Sequence, residues 1–586
     1  MKTSFISKRI FILPFLILVL GSCEKYKLHD SGSSGNGNGN GNGNGNGNTT
    51  PVDPPVASTI GFFLNDWSSK TFAVPAYTDT TIASVSATTT VSIDASNIIT
   101  KIPNTVFGQN ANSWMTQIVT ESSLLNHIEN LHPGIIRFPG GSISDTYFWN
   151  ALNAAPADAP ATIPDADGNP ISNPYWYGKR SDSWTLSVDN YYQLLQQSGS
   201  TGIITVNYGY ARYGTAADPV ASAAHLAADW VRYDNGRTKY WEIGNECNGT
   251  WEAGYRINTG ANQDAQPQII TGSLYGQHFK VFADSMKKAA QEIGKTIYIG
   301  AYILETQPQS WQTPTDQTWN AGALSQVNST ADFYIIHSYY TPYQQNSTAD
   351  VILNTAKDNT AAMMSYVKTS MSNAGATIKP VALTEWNITS QGSMQQVSYI
   401  NGMHAAILFG EALKNNFGET SRWDLANGWA GGNDHGLFNI GDEPGVSIWN
   451  PRPAFYYMYY FQKMIGDRLI NSTVTGSSDI LAYASSFTSG EKGVILVNKG
   501  AASQAISVTL QNATAGTRFY FYVLKGGTDN GEFSGKVFVN GNGPNELSGG
   551  PSTNYTTIKP YAALTQNGIK LNLPGRTVVY MVIDKN

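Results

Sequence analysis

Cysteine is almost missing from this chain: 586 residues hold two, Cys23 and Cys247. A disulfide-stapled fold is therefore excluded, and no CxxC or HExxH spacing occurs among the cysteines and the 8 histidines, so no catalytic metal or other cofactor is expected. Charge is also scarce. Asp, Glu, Lys and Arg together make up 13% of the chain, the net charge is -6, and the basic residues are scattered without runs. A phosphate backbone needs a basic stripe, so nucleic acid is excluded as a partner. Only one sustained apolar run is present, Ile10 to Leu20, and it is too short to span a bilayer comfortably.

That run follows Lys2, Lys8 and Arg9 and ends in Leu20-Gly21-Ser22-Cys23. A basic start, a short apolar core and small residues before a cysteine resemble a bacterial lipoprotein signal, which implies cleavage before Cys23 and lipidation of its thiol. An ordinary cleaved signal or a short anchor is the other interpretation. Residues 1–22 are thus expected to be a signal peptide and 23–58 a lipidated cysteine with a flexible linker, because "SGSSGNGNGNGNGNGNGNTTPVDPPV" cannot bury apolar surface. Its r.m.s. reach is on the order of 30 Å for roughly 35 residues. The expected location is the cell envelope, on the outer membrane, with the anchor at Cys23 as the membrane contact. Cys247 would then be the one thiol of the mature fold, a buried small side chain with no paired base.

What the chain has in plenty is apolar and aromatic material, 41% and 12%, with 14 Trp and 32 Tyr. That is ample for a large core and an accessory domain, with flat faces left over for stacking. Residues 59–98 alternate Thr, Val, Ser and Ala and are predicted to be edge-type strands. Over 99–466, eight apolar runs ("TVFGQN", "GIIRFPGG", "GIITVNYGY", "KYWEIGNE", "TIYIGAY", "DFYIIHSYY", "PVALTEWN", "SRWDLANGW") alternate with helical stretches. The order predicts an α/β fold, a (β/α)8 barrel, with the polar residue ending each run on its catalytic face. "NPRPAFYYMYYFQKMIGD" is predicted to be the last helix, with proline at its start. From 467 to 586, short alternating strands with Gly and Asn turns predict a β-sandwich, completed by the N-terminal strands.

Two of the predicted strands end on a carboxylate: Glu246 in "YWEIGNECNGTWE", the fourth, and Glu385 in "LTEWN", the seventh. In a barrel these ends open onto one face, so the two groups can converge. Paired carboxyls are the machinery of glycoside hydrolysis; about 5 to 5.5 Å between them gives retention of configuration and a wider gap gives inversion.

"RFPGGSISDTYFW", "YWEIGNECNGTWE", "LTEWN" and "NGMHAAILFGEAL" resemble the retaining (β/α)8 clan of glycoside hydrolases, and most of all family 51, which contains α-L-arabinofuranosidases and endoglucanases. The resemblance runs from about Val91 to Gly466. It implies Glu246 as general acid/base, Glu385 as nucleophile, Asn245 as the amide at the sugar 2-hydroxyl, Arg137 as a brace for the nucleophile, and His337 and Tyr339 as hydrogen-bonding neighbours. Burial and the charge of Glu385 are expected to raise the pKa of Glu246. Trp251, Trp386 and Trp429 are candidate stacking platforms, Asn207 a further substrate contact, and Glu242 structural. Two departures fall on the sugar pocket: "FGQNANSW" offers Gln109, Asn110 and Asn112 where the arabinofuranosidases carry a Glu, and Ser142 stands where they favour Asn. The implied partner is a poly- or oligosaccharide of plant type. Trimming of arabinofuranose branches, an endo-acting β-glycanase and a catalytically silent glycan-binding lipoprotein are the three readings, and retention of both carboxylates argues against the last.

Overall fold

The computed structural model describes residues 50–82 and 85–586; Cys23 and the Gly-Asn tether lie outside the described residues. Eight parallel strands close into a barrel: β1 (Gly108–Asn110), β2 (Ile135–Phe138), β3 (Thr201–Val206), β4 (Tyr240–Ile243), β5 (Tyr298–Tyr302), β6 (Phe333–Tyr339), β7 (Val381–Asn387) and β8 (Glu419–Arg422). β8 pairs back to β1, Ser421 with Gly108. All eight runs picked out in the sequence supply these strands. They read as continuous apolar runs because a parallel strand is covered on both faces, by barrel interior and by helix.

The helices between the strands start where a short polar side chain can take an otherwise unpaired amide. Ser187, Asp218, Thr271, Thr313, Thr348 and Ser398 each accept a bond from the backbone N–H three residues on. Helix Pro453–Met464 closes the barrel, with Pro453 in its first turn as the sequence predicts.

The C-terminal strands form one sheet that curls around its own apolar core, with the N-terminal strand Thr89–Lys101 inserted between Arg468–Thr475 and Gln504–Gln511. Strand Thr577–Lys585 is buried on both faces. Val579, Met581 and Ile583 pack inside the curled sheet, whereas Val578, Tyr580 and Val582 join the barrel core. Tyr580 also donates its hydroxyl to the Tyr457 carbonyl of the last barrel helix at 2.8 Å. The alternation of one strand thus fastens the sheet to the barrel.

The segment from Ile60 departs from the expected strands. Gly61–Leu64 forms a 3-10 turn, and the long strand begins only at Thr89. The physical reason is a pair of aromatics that need cover. Phe62 stacks on Tyr298 with ring centroids 3.8 Å apart, and Phe63 lies 4.9 Å from Tyr240 and 5.6 Å from Phe333. These partners start β5, β4 and β6, so the turn plugs the barrel end opposite the strand carboxyl ends. A cavity lined by Asp66, Lys70, Gln462 and Asp467 opens at this plugged end, away from Glu246 and Glu385. Removing the plug should be costly: Phe63→Ala is expected to destabilise the protein by about 3 to 5 kcal/mol in urea unfolding. A loss under about 1 kcal/mol would show that the turn is an ornament.

Candidate active site

The site grows from residues that point into the barrel at the carboxyl ends of the strands. Arg137 of β2 is fully buried, and its guanidinium reaches four groups. Nε donates to Glu242 Oε2 (2.6 Å), Nη1 to Asn110 Oδ1 (3.1 Å) and Glu385 Oε2 (3.2 Å), and Nη2 to Asn245 Oδ1 (2.9 Å). Glu242 accepts a further bond from Thr205 Oγ1 at 2.7 Å. It is wholly inside the barrel and serves as the counter-ion of Arg137, the structural part expected for it.

Glu385 accepts from the Tyr339 hydroxyl at 2.6 Å as well as from Arg137. Glu246 accepts from the Trp251 indole N–H at 3.0 Å, and His337 Nδ1 lies 2.9 Å from its Oε1. The same Nδ1 is 3.7 Å from Glu385 Oε2, and Nε2 of the ring meets Thr384 Oγ1 at 3.1 Å. One donor atom each from Glu246, His337 and Glu385 lie within 4.8 Å of one another. The two carboxyls therefore converge as the barrel requires, and this trio is also where a metal ion would find ligands among the described residues.

Local backbone makes this convergence. The pairing of β6 with β7 shifts register between Ile336 and His337, which sets His337 opposite Glu385; such bulges re-aim side chains beside active sites. After β4 the chain turns through positive φ twice, at Gly244 (75°) and at Glu246 itself (41°). A Cβ at Gly244 would come within 2.4 Å of Cys247 Sγ and 2.7 Å of Tyr208 Cβ, so only glycine fits. Cys247 is a buried thiol filling that turn, and burial pushes its pKa far up, away from nucleophilic use. At Gly140 and Gly141 a Cβ would strike Asn110, Arg137 and Trp423, which explains the paired glycines after β2.

Charge in the site departs from one expectation. Burial raises the pKa of Glu246, but the hydrogen bond to His337 and the charge that ring carries when protonated, with Trp251 and Arg137, outweigh it and leave Glu246 below its ordinary value. Glu385 is raised: burial and the charge of Glu246 prevail over His337, Arg137 and Tyr339. The resemblance implies His337 as a hydrogen-bonding neighbour; the structure sets its Nδ1 2.9 Å from Glu246 Oε1 and 3.7 Å from Glu385 Oε2.

Other expected contacts fall elsewhere. Trp386 is fully buried, packed outward against His404 and Phe409, because it alternates with the inward-pointing Glu385. It is no stacking platform. Asn207 is committed to the fold, donating to the Tyr147 carbonyl (3.3 Å) and accepting from Tyr210 N–H (2.9 Å), and makes no bond to the carboxylate cluster. Trp251 is 65% exposed at the rim, and Trp429 is half-buried beneath the guanidinium of Arg452. Gln109 turns away from the mouth toward Met458, whereas Asn110 ties the backbone carbonyl of Thr384 to Arg137.

Two acids escaped sequence reasoning. Asp145 accepts the backbone N–H groups of Tyr208, Gly209 and Asn245, bracing the ends of β3 and β4, and burial raises it to about 7. Glu252 accepts from Ser142 Oγ (2.9 Å) and Asn245 Nδ2 (2.8 Å). Both partners of Glu252 are polar residues already singled out, so their shared loops were the available signal; the amides that Asp145 holds leave no mark in a sequence.

Below the catalytic layer sits Glu419 at the start of β8, fully buried, bonded to the Ser421 hydroxyl and raised to about 8, chiefly by burial. An acid raised in the native state keeps its proton while the unfolded chain loses it. Its contribution to stability is thus full below about 4.5 and declines as pH climbs to about 8. Glu419→Gln should stabilise the protein at pH 8 relative to pH 4 when both are compared with the parent by thermal unfolding. An equal effect at the two pH values would contradict the buried-acid assignment.

Comparison with known proteins bears on the family likeness and on the fold. Residues 127–357 match the family described as the alpha-L-arabinofuranosidase 1 domain, a span that includes Glu246 and His337 but stops short of Glu385. An intracellular exo-alpha-(1->5)-L-arabinofuranosidase of Bifidobacterium longum is 24% identical over 228 residues, 37% of this chain and 34% of that protein. Its namesake in Acetivibrio thermocellus is 22% identical over 254 residues, 42% of this chain and 43% of that protein. The chain thus spans well under half the length of these curated relatives. Among solved structures, the GH51 arabinofuranosidase from Xanthomonas axonopodis superposes with a TM-score of 0.58 at 15% identity, over 85% of this chain and 100% of that one. CelM2, a bifunctional glucanase-xylanase from a metagenome library, gives 0.54 at 14% identity, over 85% and 99%. Residues 127–357 are therefore similar to the alpha-L-arabinofuranosidase 1 domain, and the chain shares the barrel-and-sheet fold of the Xanthomonas enzyme.

Proposed function

We propose that the protein is a retaining glycoside hydrolase of arabinofuranosidase type acting on plant-type polysaccharide, with Glu385 as nucleophile and Glu246 as acid/base. The observation that carries this is the closeness of the two carboxyls, oxygen to oxygen within 4.8 Å across the ends of β4 and β7. That gap suits direct attack by one carboxylate and leaves no room for the water an inverting enzyme places between them.

Asymmetry in the donors supports this division of roles. Arg137 and Tyr339 both bond Glu385, holding a carboxylate that must attack the anomeric carbon. Glu246 has only Trp251 and His337. The charge of a protonated His337 is what lowers Glu246, so the acid form needed at the first step goes with a neutral imidazole, whose Nδ1 can accept from a protonated Glu246 while Nε2 donates to Thr384. Protonation of the leaving oxygen by Glu246 accompanies formation of a glycosyl ester on Glu385. Glu246, now ionised, takes a proton from the water that cleaves this ester.

The altered sugar pocket favours a second reading for specificity. Gln109 and Asn110 are engaged with the fold, and the stretch "FGQNANSW" at β1 holds no carboxylate, so an endo-acting β-glycanase on the same scaffold fits the missing furanose contact. Export and anchoring through Cys23 complete the proposal and place the enzyme on exogenous glycan.

Product analysis on arabinan, arabinoxylan, xylan and β-glucan separates the two specificities: free arabinose supports branch trimming, oligosaccharides support backbone cutting. Silence on all of them, and on aryl glycosides, would overturn the enzyme assignment. Glu385→Ala should abolish turnover. Glu246→Ala should lose about 10²- to 10⁴-fold on glycans yet retain the first step on substrates with activated phenol leaving groups. Hydrolysis by the Glu385 variant at the parent rate would sink the mechanism.

A further inference from the structure

The loop from Glu246 to Glu252 bends back on the strand it has just left. Gly249 N–H bonds the Glu246 carbonyl (2.6 Å), and Glu252 N–H bonds the Gly249 carbonyl (3.1 Å). The two residues at its end thereby return to the two at its beginning: Trp251 donates to Glu246, and Glu252 accepts from Asn245.

The contact with Asn245 settles the direction of its side-chain amide. An amide can face either way round, and its ends differ only as acceptor and donor. Arg137 has donors only, so the Asn245 oxygen must face it (2.9 Å). Glu252 Oε1 takes one N–H at the other end (2.8 Å), while Ser142 Oγ donates to the same oxygen (2.9 Å). Among the described residues no acceptor takes the second N–H of Asn245. Glu252 itself is buried, and its Oε2 has no partner.

We propose that Glu252 is a positioning residue: through Asn245 it aims an amide N–H at the 2-hydroxyl of the bound sugar, and Ser142, in place of the usual Asn, secures it from the other side. The proposal rests on the role of Asn245 given above. Burial, with the charges of Asp145 and Glu246, pushes the Glu252 pKa far above the carboxylate range, so the side chain acts as a neutral acceptor and glutamine can imitate it.

The test compares kcat and KM of the full protein and its variants on the 4-nitrophenyl glycoside it hydrolyses fastest and on the 2-deoxy analogue of that substrate. Glu252→Ala should lose about tenfold in kcat on the parent substrate, the loss of one bond of about 1.4 kcal/mol, with KM little changed. On the 2-deoxy analogue the loss should be far smaller. Glu252→Asp, which keeps the carboxyl but draws it back, should show the same selective loss should the alanine variant not fold, and Glu252→Gln should restore most of the parent rate. Equal losses on both substrates would overturn the proposal, since a purely structural defect ignores the hydroxyl. Asn245→Ala tells the two layers apart: selectivity lost there but kept in the Glu252 variants overturns the role of Glu252 alone, and indifference of Asn245→Ala to the hydroxyl overturns both.

Discussion

One buried guanidinium holds this site together. Arg137 is fully buried, and a charge in that position is tolerated only when it is paired and each of its nitrogens finds a partner. Its partners come from four places: Asn110 at the end of β1, Glu242 within β4, Asn245 just beyond β4, and Glu385 in β7. Closing the barrel and building the active site are therefore the same event. Glu242, at 2.6 Å, neutralises most of the cation from below, which leaves Glu385 braced at 3.2 Å and still able to form a bond elsewhere. Were Glu385 the sole counter-ion, the ion pair would oppose its transfer to carbon.

Around that fixed centre, the reactive geometry comes from small departures from regular backbone. An extra residue in β7, Thr384, sets Glu385 beside His337, and two positive φ angles after β4 raise Glu246 over the barrel. Each is supported by a rigid neighbour. Asp145 holds the backbone amide of Asn245, Cys247 packs under Gly244, and the loop after β4 returns Trp251 to Glu246 and Glu252 to Asn245. The opposite end of the barrel is closed by Phe62 and Phe63, and the curled sheet grips the last helix through strand Thr577–Lys585. Strain at the mouth is tolerated because the rest of the frame is over-determined.

How much of this the sequence makes legible depends on the range of the interaction. Eight parallel strands declare themselves, since a strand buried on both faces must be apolar until its polar end. The pair Glu246 and Glu385 is legible for the same reason. Trp386 misleads because it shares the motif of Glu385 but not its face, and alternation sends it into the helix layer. Asn207 looks like a pocket residue and is spent on Tyr147 and Tyr210. The Thr- and Ser-rich segment after Ile60 suggests strand, yet two adjacent phenylalanines decide its fate by finding tyrosines at the barrel floor. Glu252 is hinted at only by the loops it shares with Asn245 and Ser142, and Asp145 acts on backbone N–H groups, partners that no sequence spacing announces.

The central claim is that the two carboxyls are near enough for one to attack. The most direct measurement is proton NMR of the first-formed sugar during hydrolysis of an aryl glycoside, read before mutarotation sets in. Release of the product with the anomeric configuration of the substrate is the predicted result, because two displacements at Glu385 restore it. First appearance of the opposite anomer would mean that water attacks directly, and would contradict the assignment of Glu385 as nucleophile.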